Sequence, residues 1–160
     1  MTETKPLNAQ KVAEYFLWKG QLDRKPITNK KLQKLLYYAQ AWSLVVREKK
    51  LFNEKIEAWV HGPAIRKIYL EYKTFGFDPI KKEIETDVIE KIPADIRNFL
   101  DQMWSAYGKY DAAFLEYLSH SEEPWQKARE SLEPHTGSEK EITPESMQSF
   151  YSQKLAHQPA

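Results

Sequence analysis

The chain has 160 residues, 41% of them hydrophobic and 29% charged, which is the size and balance of one folded domain with its own core. Its 24 Lys and Arg nearly cancel 23 Asp and Glu, so it lacks the basic excess with which nucleic-acid binders neutralise phosphate. It has no cysteine, which excludes a disulfide framework, a thiolate zinc site and a cysteine nucleophile and fits a reducing cytoplasm.

In chain order, Met1 to Asn8 is polar and lacks the apolar stretch of a signal peptide. Residues 1–7 and 157–160 are expected to be flexible tails around a single domain spanning 8–156. A first helix is expected after Asn8, with Val12, Ala13, Phe16 and Leu17 on its apolar face and Gly20 at its end. Ile27-Thr28 followed by Leu32 reads as a staple and N-cap opening the clearest helix. Leu32, Leu35, Leu36, Ala39, Trp42, Ser43 and Val46 form its stripe. Lys30, Lys31, Lys34, Gln33 and Gln40 fall off that stripe, and the lysines read as a solvated face.

Ile56, Ala58 and Val60 alternate with Glu57 and Trp59, the pattern of a short strand. In His61-Gly62-Pro63, Gly62 permits an unusual backbone angle and Pro63 suits the first position of a helix running to Gly76. Residues 77–92, with Pro79 and Pro93 at either side, read as an irregular connection with one strand that pairs with 56–60. Further helices are expected at 94–107, from Asp111 with Phe114, Leu115 and Leu118 inside, from Pro124 with Trp125, Ala128 and Leu132, and after Thr143-Pro144 with Met147, Phe150, Tyr151 and Leu155 buried. Residues 133–141 read as a polar mobile loop. The expected fold is mainly α: a compact domain of about six to seven helices with a small β-hairpin or short antiparallel sheet. The longest apolar runs are far too short to span a membrane, and mean hydropathy is −0.70.

The four histidines, His61, His120, His135 and His157, form no metal-binding spacing, and no glycine-rich phosphate loop or nucleophile elbow is present. No metal and no cofactor are expected. His61-Gly62-Pro63 followed by Arg66 and Lys67 fits a backbone turn, or a place where an anion meets the start of a helix. Tyr38 falls off the main stripe and is expected at the surface, where Tyr, Trp and Arg favour protein contact.

Lys31-Leu32-Gln33-Lys34-Leu35-Leu36-Tyr37-Tyr38-Ala39-Gln40 after Ile27-Thr28-Asn29 resembles the opening motif of the Panacea domain, the SocA-like or GepA-like antitoxin family. The resemblance continues through Phe52, Ile56-Glu57-Ala58-Trp59, Gly62-Pro63, Tyr69, Trp104, Tyr107-Gly108, Leu118, His120 and Pro124-Trp125 to Phe150-Tyr151. It implies a bacterial or phage-encoded antitoxin, not an enzyme, that neutralises a cognate toxin encoded by the adjacent gene through direct protein binding. One branch of the family implies an alternative, a proteolytic adaptor that delivers its bound toxin to an ATP-dependent protease. A small hydrolase using His61 or His120 with a nearby carboxylate, and a structural phage protein, are the readings from other classes. The expected partner anchors are Tyr38, Trp59, His61 and Arg66, with Thr28, Gly62 and Pro63 as structural motif residues. The oligomeric state is not legible in the sequence.

Overall fold

Thr28 starts the helix around which the chain is organised. Its hydroxyl accepts a hydrogen bond from the Lys31 amide at 3.1 Å, as an N-cap does. The helix that follows, α2 (Asn29–Trp42), is buried at every residue except Lys30. The computed structural model describes residues 7–130 and 132–157. Around α2 pack α1 (Ala9–Leu22), α3 (Arg66–Glu71), α5 (Ala94–Tyr107), α6 (Ala112–His120) and α8 (Pro144–Ala156). The short α4 (Thr86–Glu90) and α7 (Glu123–Arg129) bring the described helices to eight. Strands β1 (Ile56–Trp59), β2 (Gly62–Ala64) and β3 (Glu141–Ile142) form one antiparallel sheet in the order β2-β1-β3. The fold is therefore mainly α with a short sheet, and α4 lies in the stretch read as irregular.

A helix surrounded on all sides must bury its polar positions as well as its stripe. Burying an amide or ammonium is tolerable only when its hydrogen bonds are made. Here the partners are mostly backbone groups of the segments that wrap the helix: the 51–52 loop, β2 and the residue after it, and the end of α5. Gln40 Nε2 donates to Phe52 O at 2.7 Å, and Gln40 Oε1 accepts from the amides of Leu51 and Phe52 at 2.8 and 3.3 Å. Gln33 Oε1 accepts from the Ile65 amide at 2.8 Å, while its Nε2 donates to Asn29 Oδ1 at 2.9 Å. Lys31 Nζ donates to Gly108 O at 2.7 Å and Lys34 Nζ to Pro63 O at 3.1 Å. Lys31 and Lys34 are thus buried, and the solvated face expected of them is reduced to Lys30. Tyr38, expected at the surface, is fully buried. Its ring stacks on Tyr107 at 4.2 Å and its hydroxyl donates to Glu122 Oε1 at 2.6 Å.

Elsewhere the structure shifts boundaries for identifiable reasons. Gly20 lies inside α1, not at its end, and is needed there for close packing, since a Cβ would stand 2.7 Å from Ile27 Cδ1 and 2.8 Å from Lys25 O. α2 passes into a π turn over Ser43–Arg47 and stops at Glu48, whose φ is +57°. The wider turn rotates Val46 out of the stripe, leaving it 57% exposed. Leu155 is likewise exposed, contrary to expectation, and Leu7, expected in the tail, packs against the core. The rest of the two expected tails, apart from His157 at the cap of α8, falls outside the described residues.

Pro63 does not open a helix. It sits in β2, and α3 begins at Arg66. The position accepts proline because the Ala58 amide bonds to Lys140 O at 2.8 Å, on the other side of β1. The Ala58–Pro63 pair therefore exchanges no ladder bonds, and the missing N–H of Pro63 falls on the free edge of the sheet. β1 pairs with β2 and with β3 at 141–142, not with the 77–92 stretch, whose one bridge joins Pro79 to Thr28. Leu132 lies beyond α7, whose end is marked by Glu130 at φ +49°. The loop expected to move freely is tied to Arg129, whose Nη2 donates to the carbonyls of Glu133 and Thr136.

Gln40→Leu keeps the volume but strands two amides and a carbonyl in the core, each worth about 1–3 kcal/mol. Chemical denaturation is expected to show a loss of about 4 kcal/mol, whereas Lys67→Met, at an exposed position of α3, is expected to stay within about 0.5 kcal/mol.

Candidate partner-binding site

The sheet alternation sets the outer face of the hairpin. Ile56 and Ala58 point inward and are buried, so Glu57 and Trp59 stand on the opposite, half-buried side. Trp59 Nε1 donates to Glu57 Oε1 at 2.8 Å, and the Trp59 ring meets Tyr69 edge-on at 5.0 Å. Arg66, one turn before Tyr69 on α3, lays its guanidinium 5.3 Å over the Trp59 ring. Its Nη2 donates to Glu57 Oε1 at 3.1 Å and to Glu139 Oε1 at 2.8 Å. Trp59 and Arg66, chosen from sequence as anchors, therefore form one patch whose rotamers are already held.

The hairpin is clasped from behind. Trp125 Nε1 donates to Trp59 O at 2.8 Å and Arg129 Nη1 to Ala58 O at 3.0 Å. Gly62, at φ +107°, lets the strand turn hard against α2, since a Cβ would stand 2.6 Å from Lys34 Cε. The sequence reading of Gly62 as a special backbone position holds, although the turn it serves joins two strands.

His61 occupies the two-residue tip, with its side chain 75% exposed and Nδ1 3.6 Å from Glu116 Oε1. Lys30 pairs with the same oxygen. Desolvation pushes the Glu116 carboxyl up, but the Lys30 hydrogen bond and charge, with His61 and His120, outweigh it and hold the group below the usual range. Beneath them Lys34, 2% exposed, is pushed down to about 7 by burial, an effect that Glu116 opposes and Lys30 reinforces. His120 stacks on Trp125 at 4.0 Å, and desolvation together with Lys34 lowers its pKa against the pull of Glu116. The chemistry available is ion pairing and hydrogen bonding. Ser119 is buried with its hydroxyl committed to Glu116 O at 3.0 Å, and among the described residues no three His, Cys, Asp or Glu are placed to hold a metal.

Two sets of residues went unread in the sequence. Glu116, which gathers Lys30 and His61, gave no signal because its partners come from distant segments. Half-buried Tyr110, just before α6, and Phe114 and Tyr117 on its solvent side form a ring-to-ring stripe, with centroids 4.4 and 6.4 Å apart. Phe114 is 40% and Tyr117 67% exposed, so Phe114 is not the core residue expected. The i, i+4, i+7 spacing was available, but it marks an aromatic face equally well whether core or surface. Glu116 and Tyr117 are neighbours on α6, so hairpin tip and stripe are served by one helix. Tyr38 contributes to neither.

Residues 32–126 match the family described as Antitoxin SocA-like, Panacea domain. The chain is also 30% identical over 129 residues to a protein of Caulobacter vibrioides named Antitoxin SocA, covering 74% of this chain and 69% of that protein. No solved structure matches. The chain belongs to the SocA-like Panacea-domain family.

Lys34, within the matched segment, gives the site a pH signature. Its folded pKa of about 7 lies below the ordinary 10.5, so the unfolded chain binds more protons between those values and stability rises with pH across that window. Lys34→Met is expected to flatten the rise in unfolding free energy measured from pH 7 to pH 9; an unchanged slope would place the ammonium in solvent.

Proposed function

We propose, on the premise of Panacea-domain membership, that this chain is an antitoxin of a toxin–antitoxin system and neutralises a cognate toxin by direct protein contact in the cytoplasm. The observation that carries the reading is the family match over residues 32–126 together with the likeness to a protein named an antitoxin. Among the described residues no helix is long and apolar enough to cross a membrane, in keeping with a diffusible partner.

The geometry supports a binding role at the hairpin and α6. A stable interface takes about 800 Å² from each partner and concentrates its energy in a few aromatic and Arg anchors. Trp59 and Arg66 are already oriented by Glu57, Glu139 and Tyr69, so less side-chain freedom is lost on binding. His61 lies at the tip, and Phe114 and Tyr117 add exposed apolar area on α6, the helix that carries its partner Glu116. Thr28, Gly62 and Pro63 act on the interface through the backbone they shape. The toxin is the product of the adjacent gene, and the role requires no catalysis by this chain.

The test is co-expression with the neighbouring gene, scored by growth and copurification. The neighbour alone should arrest growth, and this chain should rescue it within a stable complex. Trp59→Ala and Tyr117→Ala should each weaken the complex by about 2 kcal/mol, roughly thirtyfold, Tyr117→Ala with an unchanged thermal melt and Trp59→Ala with a lowered melt that still leaves the domain folded at the assay temperature. Rescue without a complex, accompanied by a shortened toxin half-life, would replace neutralisation by the adaptor reading. Full binding by a variant lacking Trp59, His61, Arg66 and Tyr117 together would remove this surface from the account.

A further inference from the structure

The most exposed large apolar residue among those described belongs neither to the hairpin nor to α6. Phe77 is 95% exposed, on the turn after the 3-10 segment Lys73–Phe75. The turn is held rigidly. Gly76 takes φ +58°, the Asp78 amide donates to Phe75 O at 3.0 Å, and the Ile80 amide donates to Ile27 O at 2.8 Å beside the Thr28–Pro79 bridge. One exposed ring needs no explanation by itself. What sets this one apart is the surface next to it.

Pro79 and Ile80, two and three residues further on, line an open cleft of about 250 Å³ with Leu17 and Ile27. Arg24 and Lys25 stand on its rim, and neither forms an ion pair among the described residues. Asp78, the residue after the exposed ring, is likewise exposed and outside every such pair. The chain thus carries an apolar cleft with an unpaired basic rim, and beside it an apolar ring followed by an unpaired carboxylate. Phe77 does not fill its own cleft. A two-fold axis at this corner lets each copy supply the ring and carboxylate that the other lacks, the reciprocal arrangement of an isologous contact.

We propose that this chain forms a two-fold symmetric homodimer in which Phe77 of each copy enters the cleft of the other and Asp78 meets Arg24 and Lys25 at its rim. The occupant is a second copy because both complementary halves are present on one chain within a few residues. The contact uses none of the hairpin or α6 residues, so each dimer presents two partner sites. The inference stands apart from the antitoxin reading.

Sedimentation velocity of the full chain over a concentration series tests it. Wild type should pass from monomer to dimer as concentration rises. Phe77→Ser should remain monomeric throughout and melt like the wild type at the dilutions where the wild type is monomeric, since the ring supports nothing within its own copy. Arg24→Glu with Lys25→Glu should weaken dimerisation at least about tenfold, and adding Asp78→Lys should restore it. A wild type that stays monomeric at every concentration, a dimer that Phe77→Ser leaves intact, or a triple variant that stays monomeric would each overturn the proposal.

Discussion

Everything else in this molecule depends on a helix that is buried on all sides and is not apolar on all sides. α2 carries two glutamines and two lysines into the interior, and each bonds to backbone of a segment packed around it. A carbonyl or amide in such a segment loses water on folding and has no ladder partner. Side chains of α2 supply that partner for residues 51–52, 63, 65 and 108. The same bonds remove the cost of burying the side chains themselves. Hairpin, loops and helix ends are therefore positioned from the centre outward.

A second buried polar centre closes the far side. Glu122, 4% exposed, accepts from Tyr38 at 2.6 Å and from Tyr151 at 2.9 Å through Oε1, while Oε2 pairs with Lys154 at 2.8 Å. Tyr37 shares the Tyr151 hydroxyl at 3.0 Å. Desolvation and the nearby carboxylate push the Tyr38 and Tyr151 phenols well up, so both remain donors. The carboxylate joins α2 to α8 just ahead of α7, and α7 in turn holds the hairpin through Trp125 and Arg129. Packing and site are thus parts of one chain of contacts, running from Tyr38 to the backbone of Trp59.

The caps were plain in the sequence. Asn8, Thr28, Asp111 and Thr143 each accept the amide their position requires, because capping depends on a few adjacent residues. Trp59 and Arg66 come together only because residues 62–64, read from sequence as a helix start, form the second strand of a hairpin. Tyr38, Lys31 and Lys34 were misplaced because a hydrophobic stripe reports one apolar face, and a wrapped helix buries its other face through polar bonds that periodicity does not register. Val46 was misplaced by a π turn, which breaks the 3.6-residue count. β3 has two residues and no pattern to read, and Glu116 acquires its meaning only from residues 55 to 86 positions away.

The central claim is that α2 fixes the hairpin through Gln33 and Lys34. Amide hydrogen exchange on a Gln33→Leu, Lys34→Met variant, resolved by segment, tests it most directly. The account predicts faster exchange across residues 56–66 while α1 and α5 keep wild-type protection. Uniform loss of protection throughout the chain, or wild-type exchange at the hairpin, would contradict it.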